Sequence, residues 1–384
     1  MGSSANGSSK GRLRRLLASR AFRLLAGGLA AVLAGYMIYF VVLSGELQSL
    51  EPHFDGSCAP VIGAVGAEDI TIQPGGGMAY VSSADRRAGL AGVFKPGAIM
   101  GYHLEGPKAG KLVNLTPRPP QGFHPHGVGL LSRPGKPDRL FVVNHPWATP
   151  LTGQEPRGPA HTVEIFELRG QRLEHLRTVS GDALVSPNDV APAGPKSFYV
   201  TNDHGGGARL DHLIEDGLRL ARSHLLYHDG ETFKVVDDGI RYANGVALSR
   251  DLSRVYVAAT TDRALRIYSR RPDGDLKRLQ VLDLGTGVDN IEVDGQGNLW
   301  IGAHPKLLTF VAHAMSASTP APSQVLQLSP DGAGGFRSRE VLLSDGLDMA
   351  ASSVAARAGD RLLVGGVFDA RFLDCRMGRA GATP

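Results

Sequence analysis

Cysteine is almost absent: the 384 residues hold two, Cys58 and Cys375, one near each end of the patterned part of the chain. Acidic residues are missing from the N-terminus, where Lys10, Arg12, Arg14, Arg15, Arg20 and Arg23 all precede the first of them, Glu46. The formal charge of +4 therefore misdescribes the body, in which 37 acidic side chains face 35 basic ones once those six are set aside. A near-neutral body without a basic run has no electrostatic footprint for nucleic acid, and that class of partner is excluded. Long helices have little room either, since 50 glycines punctuate the chain.

One long apolar run does exist. Leu24 to Leu43 carries no charge over about 20 residues, enough to cross a bilayer. Basic residues precede it and Glu46, Glu51 and Asp55 follow, which keeps the N-terminus cytoplasmic and exports the body. The division expected is a basic tail over 1–23, a signal-anchor over 24–44, a linker over 45–57 and one domain over 58–384. The alternative is a cleaved signal peptide, with Val42-Leu43-Ser44 as a weak cleavage site. The span is long for a signal core and carries Tyr36, Tyr39 and Phe40 near its outer end, which favours a retained anchor. In an exported protein the two cysteines are placed to staple the ends of the array, rather than being unrelated buried thiols. Closing a loop of this length stabilises by roughly 5–6 kcal/mol in the chain-entropy account, an upper figure.

The body repeats. Val288-Asp289-Asn290-Ile291-Glu292-Val293 leads through the turn residues Asp294-Gly295-Gln296-Gly297 into Asn298-Leu299-Trp300-Ile301-Gly302-Ala303-His304, which reads as a hairpin whose first strand is half-buried. Similar pairs begin at Glu68-Asp69-Ile70, His126-Gly127-Val128, Asn188-Asp189-Val190, Asn244-Gly245-Val246 and, more weakly, Ser352-Ser353-Val354. Six copies at roughly 45–65 residues suit the blades of a β-propeller, so the expectation is one all-β, six-bladed domain. Leu307 to Met315 is the one further helical stretch expected.

In a propeller the first strand of each blade runs along the central channel, so equivalent positions meet in space. Glu68, Asn188, Asn244, Asp289 and Asn290 hold that position in four blades and offer carboxylate and amide oxygens without a thiolate. Hard oxygens in that number suit Ca²⁺, whose coordination is adaptable, better than Mg²⁺. Asp69 and Asp189 adjoin two of these positions and point the other way in an extended strand, towards a second, deeper cation with the carbonyl of Val128. Asp289 and Asn290 are themselves neighbours, so both reach one ion only if the strand is not extended there. Second strands end at the same rim, which brings His145 towards His126 and places Asp203, His204 and His304 around the same mouth.

Ala67-Glu68-Asp69, Pro125-His126-Gly127, Val143-Asn144-His145-Pro146, Asn188-Asp189, Thr201-Asn202-Asp203-His204, Tyr242-Ala243-Asn244-Gly245, Val288-Asp289-Asn290 and His304-Pro305, in that order, resemble motifs of the paraoxonase/arylesterase family. The resemblance runs from about Cys58 to Cys375. It implies a six-bladed propeller with two calcium ions that hydrolyses lactones, aryl esters and some phosphotriesters. It also implies Glu68, Asn188, Asn244, Asp289 and Asn290 as ligands of a catalytic calcium, and Asp69, Val128 and Asp189 as those of a structural one. His126 and His145 match its histidine dyad, Cys58 and Cys375 its disulfide, and Asp203, His204, Tyr242 and His304 fall at the substrate pocket. An uncleaved N-terminus is a further family feature. The loop Ser82-Ser83-Ala84-Asp85-Arg86-Arg87 departs from it, with charges where mammalian members place an aromatic wall.

The expected enzyme polarises an ester carbonyl with Ca²⁺ and attacks with a water activated by His126 assisted by His145, or by Glu68. The partners expected are a small lactone or ester and, through the N-terminus, a membrane. A gluconolactonase-type or strictosidine-synthase-like propeller enzyme is the alternative, and a non-catalytic calcium-binding propeller the rival from another class. Oligomeric state is not legible.

Overall fold

The computed structural model describes residues 20–146 and 161–378, so the basic tail up to residue 19 lies outside the described residues. The chain divides into two units, Met1–Leu47 and Gln48–Pro384. In the first, helix α1 (Arg20–Leu43) contains an apolar stretch, Phe22–Leu43, long enough by length and composition to cross a membrane.

The second unit is a six-bladed β-propeller of antiparallel sheets. Its innermost strands are Ile70–Ile72, Pro125–Leu131, Pro187–Pro192, Ala243–Leu248, Gly287–Val293 and Ser352–Ala358. Each packs against the next and the last returns to the first, so the ring closes around one channel. Closure is shared between the ends of the chain: Gly56–Ile62 is the outer strand of blade 6 and pairs with Arg371–Met377. Cys58 lies directly opposite Cys375 in that pair, and the two are joined by a disulfide across 317 residues. Part of the expected linker is ordered differently, because His53–Phe54 adds a fifth strand to blade 5 through Leu342 and Leu343. Unpaired edge groups on that blade account for the addition.

Beside the expected helix, here α4 (Leu307–Met315), two short helices interrupt the β pattern, α2 (Arg86–Leu90) and α3 (Arg209–Leu218). Asp85 caps α2 by accepting from the Ala88 N–H at 3.0 Å.

The innermost strands are not half-buried as their mixed composition suggests. Asp289 and Asn290 are as buried as Val288 and Ile291, because one face meets blade packing and the other a narrow channel. Cα register explains how neighbouring polar residues share that channel. Pro187 pairs with Asn202 and Val190 with Val200, so three steps on the inner strand match two on its partner. The same extra residue occurs between Ala243 and Val246, between Val288 and Ile291, and between Pro125 and Val128. A bulge breaks the strict alternation of a strand and re-aims the side chains within it. Asn188, Asp189, Asn244, Asp289, Asn290 and His126 all lie in these bulges. Glycines let the bulges approach: a Cβ on Gly245 would sit 2.5 Å from the Asp289 carbonyl, and one on Gly127 equally near Asp189 Cα.

Candidate functional site

Polar groups inside proteins are nearly always paired, so an unpaired one needs a reason. Five oxygens on this ring are buried without a hydrogen bond among the described residues: Glu68 Oε2, which has only Arg86 Nη2 at 3.8 Å, Asn188 Oδ1, Asn244 Oδ1, Asp289 Oδ1 and Asn290 Oδ1. Each belongs to a side chain whose other polar atom is engaged. Asn188 Nδ2 donates to Asp203 at 3.1 Å and Asn244 Nδ2 to Thr260 at 3.1 Å. Asn290 Nδ2 donates to Glu68 Oε1 at 2.8 Å, and His304 Nε2 lies 2.7 Å from Asp289 Oδ2. These contacts fix which atom of each amide and carboxylate is left over, and in every case it is an oxygen.

Electrostatics sharpen the point. Burial pushes the carboxyls of Glu68 and Asp289 above the ordinary range, although His304 beside Asp289 and Arg86 and Asn290 beside Glu68 pull the other way. Buried carboxylates short of compensating charge either take up a proton or hold a cation. Among the described residues no three His, Cys, Asp or Glu side chains group as metal ligands. The donor set here is instead three amide oxygens and two carboxylates, the hard oxygens that calcium accepts.

Asp69 and Asp189 differ. Asp69 accepts from the N–H of Ile70 at 2.8 Å and of Val128 at 2.6 Å, while Asp189 accepts from Val190 and Val246 at 2.7 Å each. All four oxygens are engaged, and one bond from each side chain crosses to the next blade. Burial raises both carboxyls well above the usual range, and repulsion from Asp189 adds to Asp69. Glu292, further along the channel, is pushed up to about 8 by burial and by Asp189. A cavity of about 660 Å³ opens past Glu292, lined by Arg250, Arg357 and Asp294 among others and by none of the five free oxygens.

Around the mouth, His126 and His145 meet edge to face with ring centroids 5.0 Å apart. Arg86 Nε donates to His126 Nδ1 at 3.2 Å, while Nη1 and Nη2 donate to the carbonyls of Gly66 and Pro125. A guanidinium only donates, so His126 Nδ1 accepts and the neutral ring carries its proton on Nε2, 3.7 Å from Glu68 Oε1. Burial, and then the guanidinium, lower the His126 pKa to about 3. His145 Nδ1 lies 2.8 Å from Nδ1 of a third histidine, His161.

His204 sits between Asp203 at 2.7 Å and Asp216 at 3.2 Å and stacks on His212. Burial opposes its charge, but those two carboxylates push its pKa up to about 10. Asp203 is held down to about 2 against burial by His204, Ser186 and Asn188. Tyr242 closes on His204 edge-on from a left-handed backbone, φ 58°. Such strain in a non-glycine residue is held in place by its surroundings. Phe310 of α4 stacks on His304 at 4.1 Å.

A family model described as Arylesterase matches residues 57–377. The chain belongs to the arylesterase family. Serum paraoxonase/arylesterase 2 of Rattus norvegicus is 33% identical over 322 residues, covering 81% of this arylesterase and 86% of its own length. Serum paraoxonase/lactonase 3 of Oryctolagus cuniculus is 31% identical, covering 90% and 96%. Among solved structures, a gluconolactonase from Xanthomonas campestris aligns with a TM-score of 0.50 at 16% identity, over 86% of this chain and 99% of its own. A luciferin-regenerating enzyme aligns with a TM-score of 0.51 at 13% identity, over 85% and 99%. These two share the fold.

Two residues of the arylesterase mouth escape a reading of the repeats. Arg86 lies in the charged loop of residues 82–87, but nothing in the loop shows which of its two arginines turns inward. His161 immediately precedes a third strand, Thr162–Arg169, outside the repeating openings, and no pattern marks it.

Proposed function

We propose that this chain is an exported hydrolase of lactones and aryl esters that uses calcium held by Glu68, Asn188, Asn244, Asp289 and Asn290. The observation that carries this reading is the set of five buried oxygens without hydrogen bonds, in a chain whose family members are named for arylesterase and lactonase activity. When bound, calcium supplies Lewis-acid polarisation of a carbonyl and neutralises a developing oxyanion.

The chain's own residues do the rest. His304 holds Asp289 through one carboxylate oxygen, while Asp203 and Thr260 hold Asn188 and Asn244 by their amide nitrogens. Each leaves an oxygen facing the channel, an arrangement that orients ligands before any ion arrives. Arg86 makes His126 a donor, with Nε2–H available to a water or a substrate oxygen. Proton acceptance then falls to His145 or Glu68. Tyr242, His204 and Phe310 wall the mouth and restrict what enters.

A second, structural calcium at Asp69, Asp189 and the Val128 carbonyl has weaker support. Its carboxylate oxygens already accept from backbone N–H groups, so an ion there would share them. The apolar helix and the disulfide fit a signal or anchor with the propeller outside the cytoplasm. We read the helix as a retained anchor, which N-terminal peptide detection in a membrane fraction would check.

The test is a hydrolysis screen of lactones, aryl esters and phosphotriesters with and without a calcium chelator. Turnover that the chelator abolishes is expected, with phosphotriesters the poorest class. Turnover indifferent to the chelator would remove calcium from the mechanism, and none at all would leave a binding propeller.

A further inference from the structure

Ester hydrolysis near neutrality leaves one proton to dispose of in each turnover. Water supplies two: one ends on the alcohol, and the other must leave because the acid product is a carboxylate. Under the hydrolase reading, on which this inference rests, that proton starts in a buried channel and needs a path out.

His126 is a poor carrier, since Arg86 occupies its Nδ1 lone pair. His145 is placed differently. Its Nδ1 meets His161 Nδ1 at 2.8 Å, with the rings nearly perpendicular at 87° and centroids 4.7 Å apart. Two facing ring nitrogens at that distance share one proton, so one ring donates and the other accepts. With His145 donating, its Nε2 lone pair is left as a base and His161 carries its own proton on Nε2. His161 Nε2 makes no hydrogen bond among the described residues, and both rings are half-buried, with His145 the more enclosed of the two. The pair thus leads from the more enclosed ring to the less enclosed one.

We propose that His161 is a positioning and relay residue that carries the hydrolytic proton from His145 to solvent, extending the His126–His145 pair to three. The attacking water gives a proton to His145 Nε2 as its oxygen forms the new bond to the carbonyl carbon. His145 passes its Nδ1 proton to His161 Nδ1, and His161 releases the Nε2 proton to bulk water. The carbonyl-to-alkoxide bond breaks, and the alkoxide takes the water's second proton. Ring reorientation then resets the pair. No oxidant or co-reactant enters.

The charges around the pair suit transfer rather than storage. His145 is faced by His161, His126, His124 and Arg86, and His161 by Asp203 and His212. Arg86 is the fixed cation beside His145 and Asp203 the anion facing His161, so the field favours passing the proton from the first ring to the second.

The experiment is steady-state turnover of an aryl ester and a lactone by the full chain and by H161F, at rising imidazole and in H₂O and D₂O. The unaltered enzyme should be indifferent to imidazole. H161F should lose roughly 10- to 100-fold in kcat, at or below the low end of what direct acid–base assistance supplies because His161 acts through His145, with KM nearly unchanged. Imidazole should restore much of that loss, and the solvent isotope effect on kcat should grow. If H161F fails to fold, H161Q makes the same test, because an amide can bond to His145 Nδ1 but cannot relay. An unchanged kcat, or a fallen kcat that imidazole leaves alone, overturns the relay while the hydrolase reading stands. No turnover by the unaltered chain on either substrate overturns both.

Discussion

Asp289 and Asp189 are buried carboxylates in equivalent bulges of two blades, yet their oxygens are used in opposite ways. Asp289 gives one oxygen to His304 and leaves the other without a partner. Asp189 commits both, one of them to the N–H of Val246 in the next blade. A buried carboxylate that satisfies itself with backbone N–H groups is part of the scaffold, since each such bond offsets its desolvation. One that keeps an oxygen free carries an uncompensated cost, which a ligand removes. The five oxygens without hydrogen bonds and the four engaged ones therefore separate the site from its frame, although both are built from Asp, Asn and Glu at adjacent positions.

The largest expected effect breaks the site side of this contrast. Asp289→Ala should lower kcat on every substrate by at least about 10²-fold, the scale on which loss of one oxyanion-stabilising group is felt. Its unfolding free energy in chelator should fall by less than that of Asp189→Ala, because only the His304 contact is lost and a desolvated oxygen without a hydrogen bond goes with it. Turnover assays with chemical denaturation in chelator check both halves. A large stability loss would place Asp289 in the frame.

Asp189→Ala should do the reverse. Two charge-assisted bonds to buried N–H groups disappear, worth roughly 1.5–3 kcal/mol each, and two donors are orphaned. A loss of about 3–5 kcal/mol in urea unfolding is expected, again in chelator so that metal linkage does not enter. Destabilisation below 1 kcal/mol would mean the backbone bonds are not what Asp189 is for.

How much of this was legible follows from what a sequence pattern records. The ring of openings at Glu68, Asn188, Asn244 and Asp289-Asn290 is visible because a propeller places equivalent repeat positions together. Cys58 and Cys375 are visible as a pair because they are alone and stand at the ends. Leu307–Met315 was readable as a helix. The division between free and engaged oxygens was not, since it depends on the bulges, and one extra residue in an inner strand leaves no mark in composition. Arg86 and Arg87 are adjacent and alike in sequence, but one turns to His126 and the other to the carbonyl of His313. His161 and the His53–Phe54 strand belong to no repeat, so only the fold reveals what they meet.

A smaller effect concerns Asp203, the carboxylate that links the two classes by holding Asn188 while itself held by His204. The His204 pKa is raised to about 10 in the folded chain, above its ordinary value. A raised folded pKa contributes stability that is fully present below the unfolded value and lost as pH rises through the folded one. Stability should therefore decline between about pH 6.5 and 10, and His204→Gln should flatten that decline. Thermal unfolding across the range measures it. A decline identical in the variant would remove His204 as its source.

The central claim is that five free oxygens are a cation site, and calorimetric titration of the chelator-stripped full-length protein with calcium tests it most directly. The account predicts saturable binding that Asp289→Ala and Asn290→Ala abolish or weaken severely, whatever their effect on turnover. No binding by the unaltered protein, or binding unchanged in Asp289→Ala, would contradict it.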